Sequence, residues 1–97
     1  MIVTVEFLDI LREIVGNRSV EVDIQGSTLE ALMGHLCHTY GNRFRNQVYP
    51  PREGDLLSSI IFIINGRVIG SGSKPGILST PIKASDIVCI MHAMSGG

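Results

Sequence analysis

The 97-residue sequence predicts a small α+β domain, a mixed sheet of four to five strands wrapped over one main helix. Three observations carry that expectation. Ser27–Gly41 holds the longest stretch of helical periodicity, and the segments around it read as short, β-branched strands. Asn65-Gly66 lies between two apolar runs, the strongest short hairpin signal, because both central positions of a type I′ turn need positive φ.

The elements follow in order. Ile2–Phe7 is β-branched and places Val3, Val5 and Phe7 on one side, so it reads as a strand. Leu8, Leu11, Ile14 and Val15 fall at helical spacing before Gly16-Asn17, which closes a short helix or loop. Ser19–Ile24 alternates strictly and pairs naturally, antiparallel, with the first strand. Ser27-Thr28-Leu29-Glu30 has the pattern of a capping box, so the main helix begins near Thr28. Its apolar stripe is Leu29, Leu32, Met33, Leu36 and Tyr40, with Cys37 at the margin and Gly41 as the stop. From Asn42 to Ser59 the chain is polar and broken by Pro50-Pro51 and Gly54-Asp55, which predicts a long loop. Ile60–Ile64 and Arg67–Ile69 flank the Asn65-Gly66 turn, Gly70–Gly76 is a glycine- and serine-rich connection, and Ala84-Ser85-Asp86 turns into a last strand, Ile87–Met91. One helix among five strands in this order is the pattern of a β-grasp. With no repeat or interdomain linker, residues 1–97 form one domain with a flexible C-terminal tail from about residue 92.

Ile60–Ile64 and Ile87–Met91 are apolar at every position, so both strands present hydrophobic side chains on both faces of the sheet. The main helix covers one face. A sizeable apolar patch is left on the other, which suits a partner surface, unless the Asn42–Ser59 loop folds over it.

Composition narrows the classes of function. An apolar fraction of 44% and a mean hydropathy of +0.29 belong to a compact domain. Eight basic and nine acidic residues give a net charge of −1, which offers no general attraction for nucleic acid or an anionic membrane. Arg43, Arg45 and Arg52 read as a solvated loop. The sequence shows neither a basic-plus-apolar leader nor an apolar run of about 18 residues, so secretion and membrane spanning are not expected. Cys37 and Cys89 lack metal-type spacing and read as reduced, core-packed thiols of a cytoplasmic protein.

The sequence closes on Gly96-Gly97, after the linker His92-Ala93-Met94-Ser95. Glycine can enter a narrow slot with backbone angles closed to other residues. A terminal carboxylate has a pKa of about 3.5, so near neutral pH it is an anion and acylates only after activation by another protein. That reading makes the chain a carrier that is worked on.

Four segments carry a family likeness. They are the opening strand leading to Leu11-Arg12-Glu13-Ile14-Val15-Gly16, the Ser27–Gly41 helix, Ile64-Asn65-Gly66-Arg67, and Thr80–Asp86 running on to Gly96-Gly97. In this order and spacing they resemble the MoaD/ThiS-type ubiquitin-like sulfur carriers, such as the small subunit of molybdopterin synthase. The resemblance implies that a ubiquitin-activating-type enzyme uses ATP and magnesium to adenylate Gly97. A persulfide sulfur then displaces AMP, leaving a thiocarboxylate, with Gly96 giving access to the enzyme's slot. In the molybdopterin branch the acceptor is a pterin precursor held by the synthase's large subunit. Members of that branch commonly carry an aromatic residue and a Pro-Pro pair before the terminal segment, where this chain has Met91-His92-Ala93-Met94. A tail without those prolines loses more entropy when ordered in a channel.

No catalytic set, resident cofactor or metal site is expected in this chain. His35 and His38 sit about one helical turn apart on the polar side and read as surface histidines, and His92 reads as a linker residue. Two cysteines cannot supply a four-cysteine iron–sulfur framework. Asp9, Glu13, Asp55 and Asp86 are scattered, with Asp86 belonging to a turn. Two other functions fit the same residues: a ubiquitin-like modifier joined through Gly97 to target-protein lysines, and a non-covalent β-grasp interaction module.

Overall fold

The computed structural model of the chain describes residues 1–49 and 58–92. The element order is β1 (Ile2–Phe7), α1 (Asp9–Val15), β2 (Ser19–Asp23), α2 (Leu29–Tyr40), α3 (Asn42–Val48), β3 (Ile60–Ile64), β4 (Arg67–Ser71), a 3₁₀ turn at Ile77–Ser79, and β5 (Ile87–His92). The strands form one mixed sheet in the order β2-β1-β5-β3-β4. β5 runs parallel to β1 and antiparallel to β3, so the last strand lies at the centre.

The inner face of the sheet is built from alternate strand residues. Val3, Val5 and Phe7 of β1, Val88 and Ile90 of β5, and Ile60 and Phe62 of β3 are all fully buried. Against them pack Leu29, Leu32, Met33 and Leu36 of α2, the stripe that 3.6-residue periodicity places on one side. Burying each of these side chains stabilises the fold by about 1.5–3 kcal/mol before the entropy of ordering is counted.

α2 starts one residue later than a Ser27-led box would set it. Thr28 is the cap, its Oγ1 accepting from the Ala31 N–H at 3.3 Å. Ser27 is drawn away instead, its carbonyl accepting from the Ile82 N–H at 2.8 Å beside the isolated Thr28–Pro81 bridge. The stop signals act as the sequence suggests. Gly16 at φ 84° returns its N–H to the Arg12 carbonyl, and Gly41 at φ 76° returns its N–H to that of Cys37.

The expected 42–59 loop is corrected over its first half, where Asn42–Val48 is helical. Phe44 and Val48, four residues apart, point the same way and are fully buried, while Arg43, Arg45 and Asn46 are exposed. Phe44 meets Phe7 edge-on, with ring centroids 6.0 Å apart and planes at 87°. α3 therefore lies with α2 on the inner face and does not cover the outer one.

Candidate functional site: the central strand, its two ends and the outer face

β1 pairs with β5 as far as Phe7 and Ile90, then turns away into α1. Met91 and His92 continue alone against Ile61 and Ile60 of β3. His92 is therefore the last residue of the central strand, where the sequence reading placed a linker. Its pairing with Ile60 decides the matter, a long-range contact that a polar side chain gives no local hint of. Its Nε2 stands 3.4 Å from Ser59 Oγ, while Nδ1 is buried without a hydrogen-bond partner among the described residues. Gly96 and Gly97, together with the rest of the tail beyond His92, lie outside the described residues, as do Arg52 and Asp55.

The other strand faces form the outer surface of the sheet. Ile61 and Ile63 of β3, Val68 of β4, and Ile87, Cys89 and Met91 of β5 share it, by alternation from their buried neighbours. Val68 is 66% exposed and Ile87 44%. No helix among the described residues lies against this face, where Ile61, Ile63, Cys89 and Met91 are half-buried. Residues 50–57 of the loop foreseen as its alternative cover lie outside the described residues.

Cys89 belongs to this face, opposite Glu6 of β1. Burial pushes its thiol pKa up, and the Glu6 carboxylate adds to the rise. Cys37 sits on α2, on the far side of the sheet. Burial raises its pKa too, against a smaller lowering by Arg45. The sheet separates the two cysteines, and both are free thiols. Each is held in the weakly nucleophilic thiol form.

At the opposite end of β5 the Asn65-Gly66 hairpin is tied to the strand's first residues. Asn65 and Gly66 take φ of 52° and 82°, as a type I′ turn requires. Asn65 Nδ2 donates to Asp86 Oδ1 at 2.9 Å, and Asn65 Oδ1 accepts from the Ile87 N–H at 2.9 Å. Asp86 Oδ2 accepts from the Lys83 N–H at 3.0 Å, closing the expected turn. Asp86 is only 5% exposed. Burial works to raise its pKa, but the Asn65 amide, the Lys83 N–H and the Lys83 charge together outweigh it and hold the carboxyl below its ordinary range. The sequence marked Asn65 and Asp86 as two separate turns. Their union across 21 positions needed the fold.

The remaining candidates stay apart. His38 is exposed and His35 half-buried on α2, and Asp9 and Glu13 are exposed on α1. Arg45 lies over the Tyr49 ring at 5.4 Å. Among the described residues no group of three or more His, Cys, Asp or Glu side chains could hold a metal ion, and no helix is long and apolar enough to cross a membrane.

A sheet with a parallel central strand, a helix packed across one face and an apolar opposite face defines a ubiquitin-like β-grasp protein. The chain belongs to the ThiS family, which it matches over residues 5–97. That places it among the small ubiquitin-like sulfur carriers and modifiers. It is similar to small archaeal modifier protein 1 from Haloferax volcanii, with 22% identity, a TM-score of 0.80 and 100% of each chain covered. It is similar to small archaeal modifier protein 1 from Methanosarcina acetivorans, with 25% identity, a TM-score of 0.79, and 99% of this chain and 96% of that one covered. It is also similar to the CysO antigen of Mycobacterium tuberculosis, with 29% identity, a TM-score of 0.69, and 95% of this chain and 99% of that one covered. No curated protein matches the sequence.

Proposed function

We propose that the chain is a sulfur carrier whose Gly97 carboxylate is activated and loaded by a partner enzyme. The family match running through residue 97, over the Gly96-Gly97 pair, carries this reading. A ubiquitin-activating-type enzyme would supply ATP and magnesium. The Gly97 carboxylate attacks the α-phosphate and releases pyrophosphate. The terminal sulfur of a persulfide then displaces AMP, and a second thiol cleaves the resulting acyl disulfide to free the thiocarboxylate. The chain contributes the Gly97 carboxyl and a docking face, and the catalytic groups belong to its partners. By its resemblance to the molybdopterin branch, the acceptor we propose is a pterin precursor on a molybdopterin synthase large subunit.

A second reading is supported by the likeness to the Methanosarcina small archaeal modifier protein 1: conjugation of Gly97 to target lysines. Both share the adenylate and differ in the nucleophile that follows. Intact-mass analysis of protein isolated from its native cell separates them. A gain of about 16 Da, sulfur replacing oxygen, marks the carrier, and large adducts linked through Gly97 mark the modifier. A population carrying neither change, in cells making molybdenum cofactor, refutes both.

A further inference from the structure

β4 is an edge strand, and beside its hairpin end runs an open groove of about 480 Å³. The walls are apolar, Ile64 and Ile69 on the sheet side and Pro81 and Ile82 on the crossover side, and the rim carries Arg67 and Lys83. Among the described residues neither cation has a carboxylate within ion-pair distance; the one pair found joins the N-terminus to Asp23. Asp86, at the base, has both oxygens turned to Asn65 and the Lys83 N–H. The rim therefore presents two positive charges over a trough with apolar walls, the Asp86 carboxylate being already engaged by Asn65 and the Lys83 N–H.

The backbone beside the groove is also open. Ile64 and Arg67 close the two-residue turn as a hydrogen-bonded pair, so the N–H and C=O of the next residue, Val68, point away from β3. One position further on the edge is sealed. The ladder shifts between Phe62 and Ile63, and Lys74 Nζ donates to the Ile69 carbonyl at 2.9 Å. Gly70 makes room for that lysine, since a Cβ there would stand 2.6 Å from Lys74 Cδ. Lysine and a ladder irregularity are common devices against unwanted edge pairing. Here they leave one short stretch at Val68 uncovered, beside the cationic groove.

We propose that this groove docks a short, extended, acidic and apolar segment of a partner protein, added as a strand at Val68. Its backbone pairs with the free Val68 groups, alternate apolar side chains enter the trough, and its carboxylates meet Arg67 and Lys83. The site lies at the start of β5, about 17 Å from His92 at 3.3 Å per residue, so an occupant leaves the opposite end of the strand open. The inference stands independently of what Gly97 carries.

The test is titration of the ¹⁵N-labelled full-length chain with a capped hexapeptide alternating valine and glutamate. Saturable shifts of the Val68, Ile69 and Lys83 amides are expected, fading as ionic strength is raised from about 0.05 M to about 1 M. Arg67→Gln with Lys83→Gln, both exposed and introducing no carboxylate beside Asp86, should weaken binding about tenfold. Backbone N-methylation of the peptide should abolish it. Any of four results overturns the proposal: no saturable shift, shifts confined to Ile61, Ile63 and Met91, equal binding by a valine–lysine peptide, or binding that survives N-methylation.

Discussion

Replacing Asp86 by alanine tests whether the hairpin and the central strand are held together as described. The change removes the acceptor for Asn65 Nδ2 at 2.9 Å and for the Lys83 N–H at 3.0 Å, in a side chain only 5% exposed. Hydrogen bonds to a charged group contribute about 1.5–3 kcal/mol each. With partial relief from water entering the vacated space, the expected loss is about 2–4 kcal/mol, or roughly 10–25 °C in Tm for a domain of this size. Asp86→Asn should cost about 1–3 kcal/mol, because its new amide must face one of two donors. The loss also has a pH signature. The carboxyl's folded pKa lies below its ordinary value of 3.8, so its contribution is present above that pH and disappears as pH falls through the folded value. Urea melts of wild type and variant at pH 7 and near pH 3 measure both effects, and the gap between them should narrow in acid. A gap under about 0.5 kcal/mol at pH 7, or one unchanged in acid, would refute the reasoning.

Two further outcomes follow from the same geometry, and a third from the proposed Gly97 chemistry. Phe44→Ala should cost about 3–5 kcal/mol in chemical denaturation, since its ring is fully buried against Phe7; a loss under 1 kcal/mol, about that of an ordinary surface change, would remove α3 from the core. Ile63→Asp, on the outer face, should keep the native far-UV circular dichroism at a cost of about 1–2 kcal/mol while abolishing binding to the adenylating partner; a loss of folding instead would mean that the face is core. Deleting Gly97, or Gly96→Phe, should leave thermal stability within about 0.5 kcal/mol of wild type and eliminate the sulfur-loaded species by mass, and loading that persists in either variant would rule out the Gly97 chemistry.

What could be read from the sequence had short-range causes. The α2 stripe, the Gly16 and Gly41 stops and the Asn65-Gly66 turn each depend on residues within a few positions of one another, and local periodicity and backbone freedom announce them. α3 escaped because two apolar residues in seven, between arginines and near two prolines, look like a loop until Phe7 supplies the surface that Phe44 packs on. The one available signal was the four-residue interval between Phe44 and Val48. His92 and the Asn65–Asp86 link escaped for a related reason. Both are contacts across the sheet, and register is set only once the whole hydrophobic pattern is buried.

The apolar outer face gives the clearest path from residues to function. Ile60–Ile64 and Ile87–Met91 carry apolar residues where an ordinary one-sided sheet would alternate with polar ones. α2 and α3 both pack on the inner face, so the helices explain only half of those side chains. Leaving Val68 and Ile87 in water forgoes about 25 cal/mol for every Å² that a partner could cover. The same central strand that carries this face ends at His92, five residues short of Gly97. A partner on the outer face that reaches the His92 end of β5 would be within about 18 Å of extended chain of the terminal glycine. In the proposed carrier, docking on this face and chemistry at Gly97 would be linked through β5, which is why a change at Ile63 should block loading.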